Sequence, residues 1–244
     1  MNSEYSFNPE MNVFDFHFPG NPVVPGVAII DLCLTKYASN NEPTVWVRVE
    51  NVKFREFVLP NEKIEIEGSS SFRVIGKNKK VKCSLEICKH KEPVRRSVVI
   101  DTKLARYKKV KALRNENYWF LPGFILVFRN VAQCNLNIEE LREKHLFLKD
   151  PHIGSLVALV EAAGNLALVI QNLNDAHSIC GGYVFAQFDS IVIQGNPQDW
   201  AGNVSVVTEV NRMGKIMKWN STVSKDDSIL LSISGAISLN GNFK

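Results

Sequence analysis

No stretch of this sequence approaches the roughly 20 consecutive apolar residues that cross a bilayer, so a membrane-spanning chain is not expected. The opening segment, MNSEYSFNPEMNVFDF, lacks the basic and apolar regions of a secretory signal. Cysteine is scarce and odd in number: Cys33, Cys83, Cys88, Cys134 and Cys180 are scattered along the chain. Cys83 and Cys88 lack zinc-ligand spacing and have no second pair beside them, so neither a metal centre nor a disulfide framework is expected. Reduced thiols in a cytoplasmic protein fit that pattern. Acids are nearly missing from one region. Between Lys77 and Arg114, fourteen Lys or Arg stand against three acids, Glu86, Glu92 and Asp101. That run reads either as a solvated face or as a docking surface for an acidic partner. No base-reading module accompanies it, so nucleic acid is not expected to bind.

What the chain does have is apolar residues in quantity. At 244 residues, 45% hydrophobic and 22% charged, it has enough to build one large core or two small ones. VVPGVAIIDLCLTKYA (23–38) reads as a mostly apolar helix, with Pro25 and Gly26 at its start and Asn40, Asn41 and Pro43 ending it. Strand-like runs follow at 44–54, 63–75, 80–89 and 96–107, separated by turn signals such as Pro60-Asn61 and Gly76-Lys77-Asn78. One buried helix followed by four antiparallel strands suggests a helix wrapped by a curled sheet. The second half repeats the order: GSLVALVEAAGNLALVIQNL (154–173) is apolar on every side, as a helix buried on every side is, and strands are expected at 182–193, 204–213, 216–225 and 228–239. A unit this long is a duplicated domain rather than a solenoid repeat. Between the halves lie a linker, a strand-like FILVFRNVAQC (124–134) and a short charged helix, NIEELREKH (137–145).

The segment Phe14-Asp15-Phe16-His17-Phe18-Pro19-Gly20-Asn21-Pro22-Val23-Val24-Pro25-Gly26-Val27 resembles the signature of the bacterial 3-hydroxyacyl-ACP dehydratases, the FabZ and FabA family. Asp31, fourteen residues after His17, stands where that family carries a catalytic acid, and 47–67 is similar to its first strands. The likeness covers residues 7–70 and is architectural beyond them. It departs at Phe16, where the family usually has Gly; a ring there would narrow a substrate channel or displace the imidazole. The resemblance implies an α+β chain of two tandem hotdog domains, 1–109 and 110–244, joined as an intrachain pseudo-dimer. It implies dehydration of a 3-hydroxyacyl thioester, carried by acyl carrier protein or CoA, without cofactor or metal. Phe18, Pro25, Gly26 and Val27 would line the substrate site, and further copies or a partner dehydratase would be possible associates.

The residues suit that chemistry. Dehydration needs a base for the C2 proton, an acid for the departing C3 hydroxyl and a donor for charge on the thioester oxygen. Histidine titrates near neutrality and serves as a base. A carboxyl buried in an apolar helix is pushed toward its protonated form. A Gly26 N–H at a helix N-terminus is a ready oxyanion donor. Two acids compete for the role. In the family the histidine of one domain meets the carboxyl of the other, and Glu161 followed by Asn165 is similar to the family's acid and amide; Asp31 has Thr35 at the amide position. His17 with Glu161 is therefore the expected intact site, and Asp31 marks a degenerate one. No single register gives the second half both groups: Phe147 or His145 falls opposite His17, while His145 or His152 remain candidates to reach Asp31. His90 and His177 lie in turn-like stretches and are expected at the surface. A hotdog thioesterase and a non-catalytic acyl-carrier-binding subunit remain alternatives. The first does not depend on this motif, and the second is favoured by the damaged half but opposed by the complete motif. Fatty-acid, polyketide and aryl-polyene assembly are equally compatible.

Overall fold

The computed structural model describes residues 3–15, 17–18, 20–42, 45–91, 94, 100, 102–113, 119–149, 153–174, 184–213 and 216–238. Each half is built on one buried helix. The first, α1 (Gly26–Asn40), opens on Pro25 as N-cap, and the side-chain amides of Asn40 and Asn41 donate to the carbonyls of Lys36 and Tyr37, satisfying the last turn. The long second core helix runs Ser155–Asn174 and is designated α3, after the short α2 (Ile138–Lys144), which Asn137 caps by accepting the Glu140 N–H at 3.0 Å. Leu156 to Ile170 of α3 are almost fully enclosed. By length and composition Ser155–Leu173 would suffice to cross a membrane, contrary to the expectation that no segment would. Glu161, Asn165 and Gln171 interrupt the run without making it polar, and 89% of it is buried inside the fold.

Among the described residues twelve strands form one antiparallel sheet. In chain order they are β1 (Ser3–Tyr5), β2 (Trp46–Phe54), β3 (Ile64–Glu67), β4 (Ser71–Gly76), β5 (Val81–Lys89), β6 (Arg106–Lys109), β7 (Phe124–Phe128), β8 (Val131–Asn137), β9 (Val184–Gln194), β10 (Asn203–Met213), β11 (Ile216–Lys225) and β12 (Ser228–Ser238). Their spatial order is β1-β3-β4-β5-β2-β9-β12-β11-β10-β8-β7-β6. The strand after each core helix, β2 or β9, lies at the centre, and its successors run outward in reverse order on either side. The two halves are thus related by a pseudo-two-fold axis through the β2–β9 pair, where Val49 faces Ile191 and Glu50 faces Ser190. This is the tandem hotdog architecture, with β8 equivalent to β1 and with β7 and β6 extending the second edge. Helices α1 and α3 pack on each other, α1 against β5 and α3 against β8, β10 and β11.

Local details depart from the strand pattern anticipated. The run 63–75 is two strands, because Gly68 (φ +107) turns the chain so tightly that a Cβ would lie 1.9 Å from the Ser71 carbonyl oxygen. The run 124–134 is the β7–β8 hairpin, turned at Arg129 (φ 53). Of the strand expected over 96–107, residues 96–99 and 101 lie outside the described residues; 102–104 form a turn instead, and only Arg106 and Tyr107 belong to a strand, β6.

Because one ladder unites the halves, they are expected to unfold together. Ile191→Ala at the fully buried seam should cost about 2–5 kcal/mol while thermal unfolding stays a single transition by circular dichroism. Two resolved transitions would show the halves to be independent.

Candidate active site

The loop before α1 is folded by its own backbone. A 3-10 turn at Asn12–Asp15 leads into His17, whose N–H donates to the Val13 carbonyl at 2.8 Å. The imidazole is 7% exposed, and its Nδ1 lies 2.8 Å from the Val23 carbonyl oxygen. A carbonyl only accepts, so Nδ1 carries the proton and Nε2 carries the basic lone pair. Phe18 holds a positive φ of 58, a strained conformation for a bulky residue, and its ring stands edge-on to the imidazole with centroids 4.8 Å apart. Asn21 N–H closes the turn onto the Phe18 carbonyl, and Val24 N–H ties the loop to the Val58 carbonyl at 2.8 Å. Phe16, Pro19 and the effect expected of the Phe16 ring lie outside the described residues.

At the head of α1, Gly26 is required by contact rather than by φ: a Cβ would sit 2.7 Å from the Phe54 ring. Phe54 meets Phe188 edge-on at 6.4 Å, and Phe188 in turn meets Trp219 at 6.3 Å. Phe54 and Phe188 wall a cavity of about 80 Å³ that His17, Phe18 and Gly26 line from one half and Glu161 from the other. Glu161, 3% exposed, stands on α3, whose Ala163 carbonyl accepts the Thr208 hydroxyl of β10 at 3.3 Å. Val27 also lines the cavity, whereas Pro25 caps the helix and does not. The sequence pattern carried no sign of Phe54, Phe57 or Phe188 as walls.

Asp31 lies elsewhere. It lines a second cavity, of about 290 Å³, with Thr35, Tyr37, Val47, Asn196 and Pro197, and no histidine is among the described residues around it. Its Oδ2 accepts from the Gly154 N–H at 3.3 Å and the Gln198 side-chain amide at 3.4 Å. Burial pushes its carboxyl up to about 6, the Gly154 N–H partly countering that rise. His145 lines neither cavity; it is buried with its ring 4.8 Å from Phe120 and 5.9 Å from Phe147. His90 is half-buried just beyond β5, its N–H donating to the Trp46 carbonyl. His152 and His177 lie outside the described residues.

Residues 1–95 match the family described as ApeI-like, ApeI dehydratase. The chain is similar to the 3-hydroxyacyl-[acyl-carrier-protein] dehydratase FabZ of Geobacter metallireducens, 38% identical over 64 residues, 22% of this chain and 43% of that protein. It is also similar to the enzyme of the same name in Alkaliphilus metalliredigens, 32% identical over 74 residues, 26% of this chain and 50% of that protein. The chain thus spans about half the length, or less, of these curated relatives. The fold matches across 97% of the chain. A trans-acyltransferase polyketide synthase enoyl-isomerase superposes with TM-score 0.72 at 12% identity, over 98% of that structure. The dehydratase domain from the CurJ module of the curacin polyketide synthase superposes with TM-score 0.69 at 10% identity, over 89% of that structure.

The position of Asp31 has a consequence for stability. Its folded pKa of about 6 exceeds the ordinary 3.8, so the folded state binds the proton more tightly. The resulting contribution is fully present below the unfolded value and is lost as pH rises through the folded one, a span of about 3 kcal/mol at most. Urea unfolding should therefore show wild type gaining on Asp31→Asn as pH falls from 7.5 to 4. A difference that stays flat over that range would contradict the assignment.

Proposed function

We propose that this chain dehydrates a 3-hydroxyacyl thioester to the trans-2-enoyl thioester. The observation that carries this is the single cavity onto which His17 of one half and Glu161 of the other converge, beside the first turn of α1. His17 Nε2 removes the C2 proton while Glu161 gives its proton to the C3 hydroxyl, which leaves as water. Electron density shifting onto the thioester oxygen is met by the Gly26 N–H, where the helix dipole adds to the donor. Return of the proton from imidazolium to carboxylate resets the pair. No electrons leave the acyl group, so the reaction calls for no cofactor. Phe18 and Val27 contact the substrate. The family match over the motif-bearing segment supports this reading.

In this reading an N-terminal hotdog unit supplies the base and a C-terminal unit supplies the acid, and the chain divides between β5 and β6, ahead of the boundary after residue 109 expected from the sequence. The β5–β6 connection is the crossover between them, with Arg106–Lys109 already paired to β7. The substrate is carried by acyl carrier protein or CoA, in fatty-acid or polyketide-type synthesis. A cytoplasmic location goes with it, supported by the enclosed thiols of Cys33, Cys83 and Cys134.

The basic stretch helps choose the carrier's approach. In the fold it separates into the β4–β5 turn and β5 on one side and β6 on the far edge of the sheet. Lys80 and Lys82 pair with Glu56 at 3.1 and 3.4 Å, and Glu56 lines the catalytic cavity. The Lys77–Lys82 turn is therefore the side on which an acidic carrier docks.

His17→Ala and Glu161→Gln should each lower turnover of 3-hydroxyacyl thioesters by about 10²–10⁴ with unchanged circular dichroism, whereas Asp31→Asn loses much less. Full activity in a folded His17→Ala variant would overturn the mechanism. Charge reversal at Lys77 and Lys79 should raise KM for a carrier-linked substrate about tenfold at low salt, less at high salt, and leave a small carrier-free thioester unaffected. Reversal at Lys108, Lys109 and Lys111 is the control; an effect there alone would move the docking surface to β6.

A further inference from the structure

The two cavities share two features across the pseudo-two-fold. The chain leaving β2 lines the first (Phe54, Glu56, Phe57) and the chain leaving β9 lines the second (Gly195, Asn196, Pro197). Each receives a carboxyl from the opposite half's core helix, Glu161 from α3 and Asp31 from α1. They differ in what that carboxyl does. Asp31 is engaged with the Gly154 N–H at the head of α3 and with Gln198, and no histidine is among the described residues facing it.

We propose that Asp31, Gly154 and Gln198 form a positioning clamp that aligns His17 and Glu161 in the other cavity. The proposal rests on the dehydratase reading for its kinetic part only. The mechanical link is direct. Asp31 is five residues beyond Gly26 on α1, and Glu161 is seven beyond Gly154 at the head of α3. At 1.5 Å per residue that second interval spans about 10 Å of continuous helix. The clamp thus joins the helix that follows the base to the helix that bears the acid, and any slide of α3 along α1 at Gly154 reappears at Glu161. A displacement of about 1 Å at reacting groups costs up to about 10² in rate.

The clamp has no slack on its far side. A Cβ at Gly154 would stand 2.4 Å from Gln198 Nε2 and 3.1 Å from Asp31 Oδ2, so any side chain there must displace the Gln198 amide and press on the Asp31 carboxyl. Arg142 of α2 braces the assembly, donating to Ser155 Oγ at 2.7 Å and to the Gln198 carbonyl at 3.0 Å. Asp31 is thus a positioning residue.

The test perturbs the clamp from both ends. Asp31→Leu removes the acceptor; Asp31→Asn keeps an acceptor oxygen of the same size; Gly154→Ala wedges the contact open at the N-cap of α3, where alanine also costs some helix stability. We expect kcat to fall about tenfold or more in Asp31→Leu and Gly154→Ala, with KM within threefold of wild type, and Asp31→Asn to retain most activity. In parallel, the titration of the His17 imidazole followed by NMR should move in both disruptive variants in the same direction as in Glu161→Gln. That readout needs no turnover, so it decides the clamp even where wild type fails to dehydrate 3-hydroxyacyl thioesters, a result that would sink the function and not the alignment. Should Asp31→Leu not fold, Gly154→Ala decides alone. Variants that melt earlier but keep both kcat and the His17 titration would overturn the proposal.

Discussion

The hydrogen-bonded seam between β2 and β9 is the constraint on which everything else depends. Each half has a helix whose apolar surface one small sheet cannot enclose by itself. Joining the sheets edge to edge removes two unpaired strand edges and brings α1 and α3 into contact across the axis. The apolar faces then share one core. That contact brings Glu161 of one half to the cavity lined by the His17 loop of the other, so the pairing of these groups is a by-product of the way the hydrophobic surface is covered.

Within that frame the His17 loop is set by short-range backbone bonds. The Val23 carbonyl fixes the imidazole tautomer, Val58 holds the loop against the strand exit, and the strained Phe18 turns its ring onto the imidazole edge. Gly26 lets the helix terminus approach the Phe54 ring. The site is stiff because its parts are bonded to rigid elements, and the strain at Phe18 is borne by the packing around it.

What could be read from the residues alone follows the same division between local and remote contacts. The loop from Phe14 to Val27 was legible because its partners are a few residues away, and the two core helices because they are apolar all round. Glu161 was legible through its spacing to Asn165. Asp31 matches the acid spacing from His17, yet in a paired fold a helix sends its carboxyl to the opposite half, so its cavity shares no wall with His17. The aromatic walls were hidden because Phe54 meets Gly26 only after the strand returns, and Phe188 arrives across the seam. The breaks at Gly68 and Arg129 were masked by strand-forming neighbours on both sides, where a single tight turn leaves little trace in the alternation.

The axis that relates the two halves runs through one polypeptide, and this changes what mutation can do. In an assembly of identical subunits every substitution is written twice, so a residue that improves one copy of a site while spoiling the other is never seen separately. A chain that carries both copies in tandem is released from that bookkeeping. One copy retains a histidine beside its helix terminus while the other carries none among the residues described around it, and a carboxylate there takes the helix terminus for itself. Symmetry of shape is retained because the core demands it, while symmetry of chemistry is free to lapse.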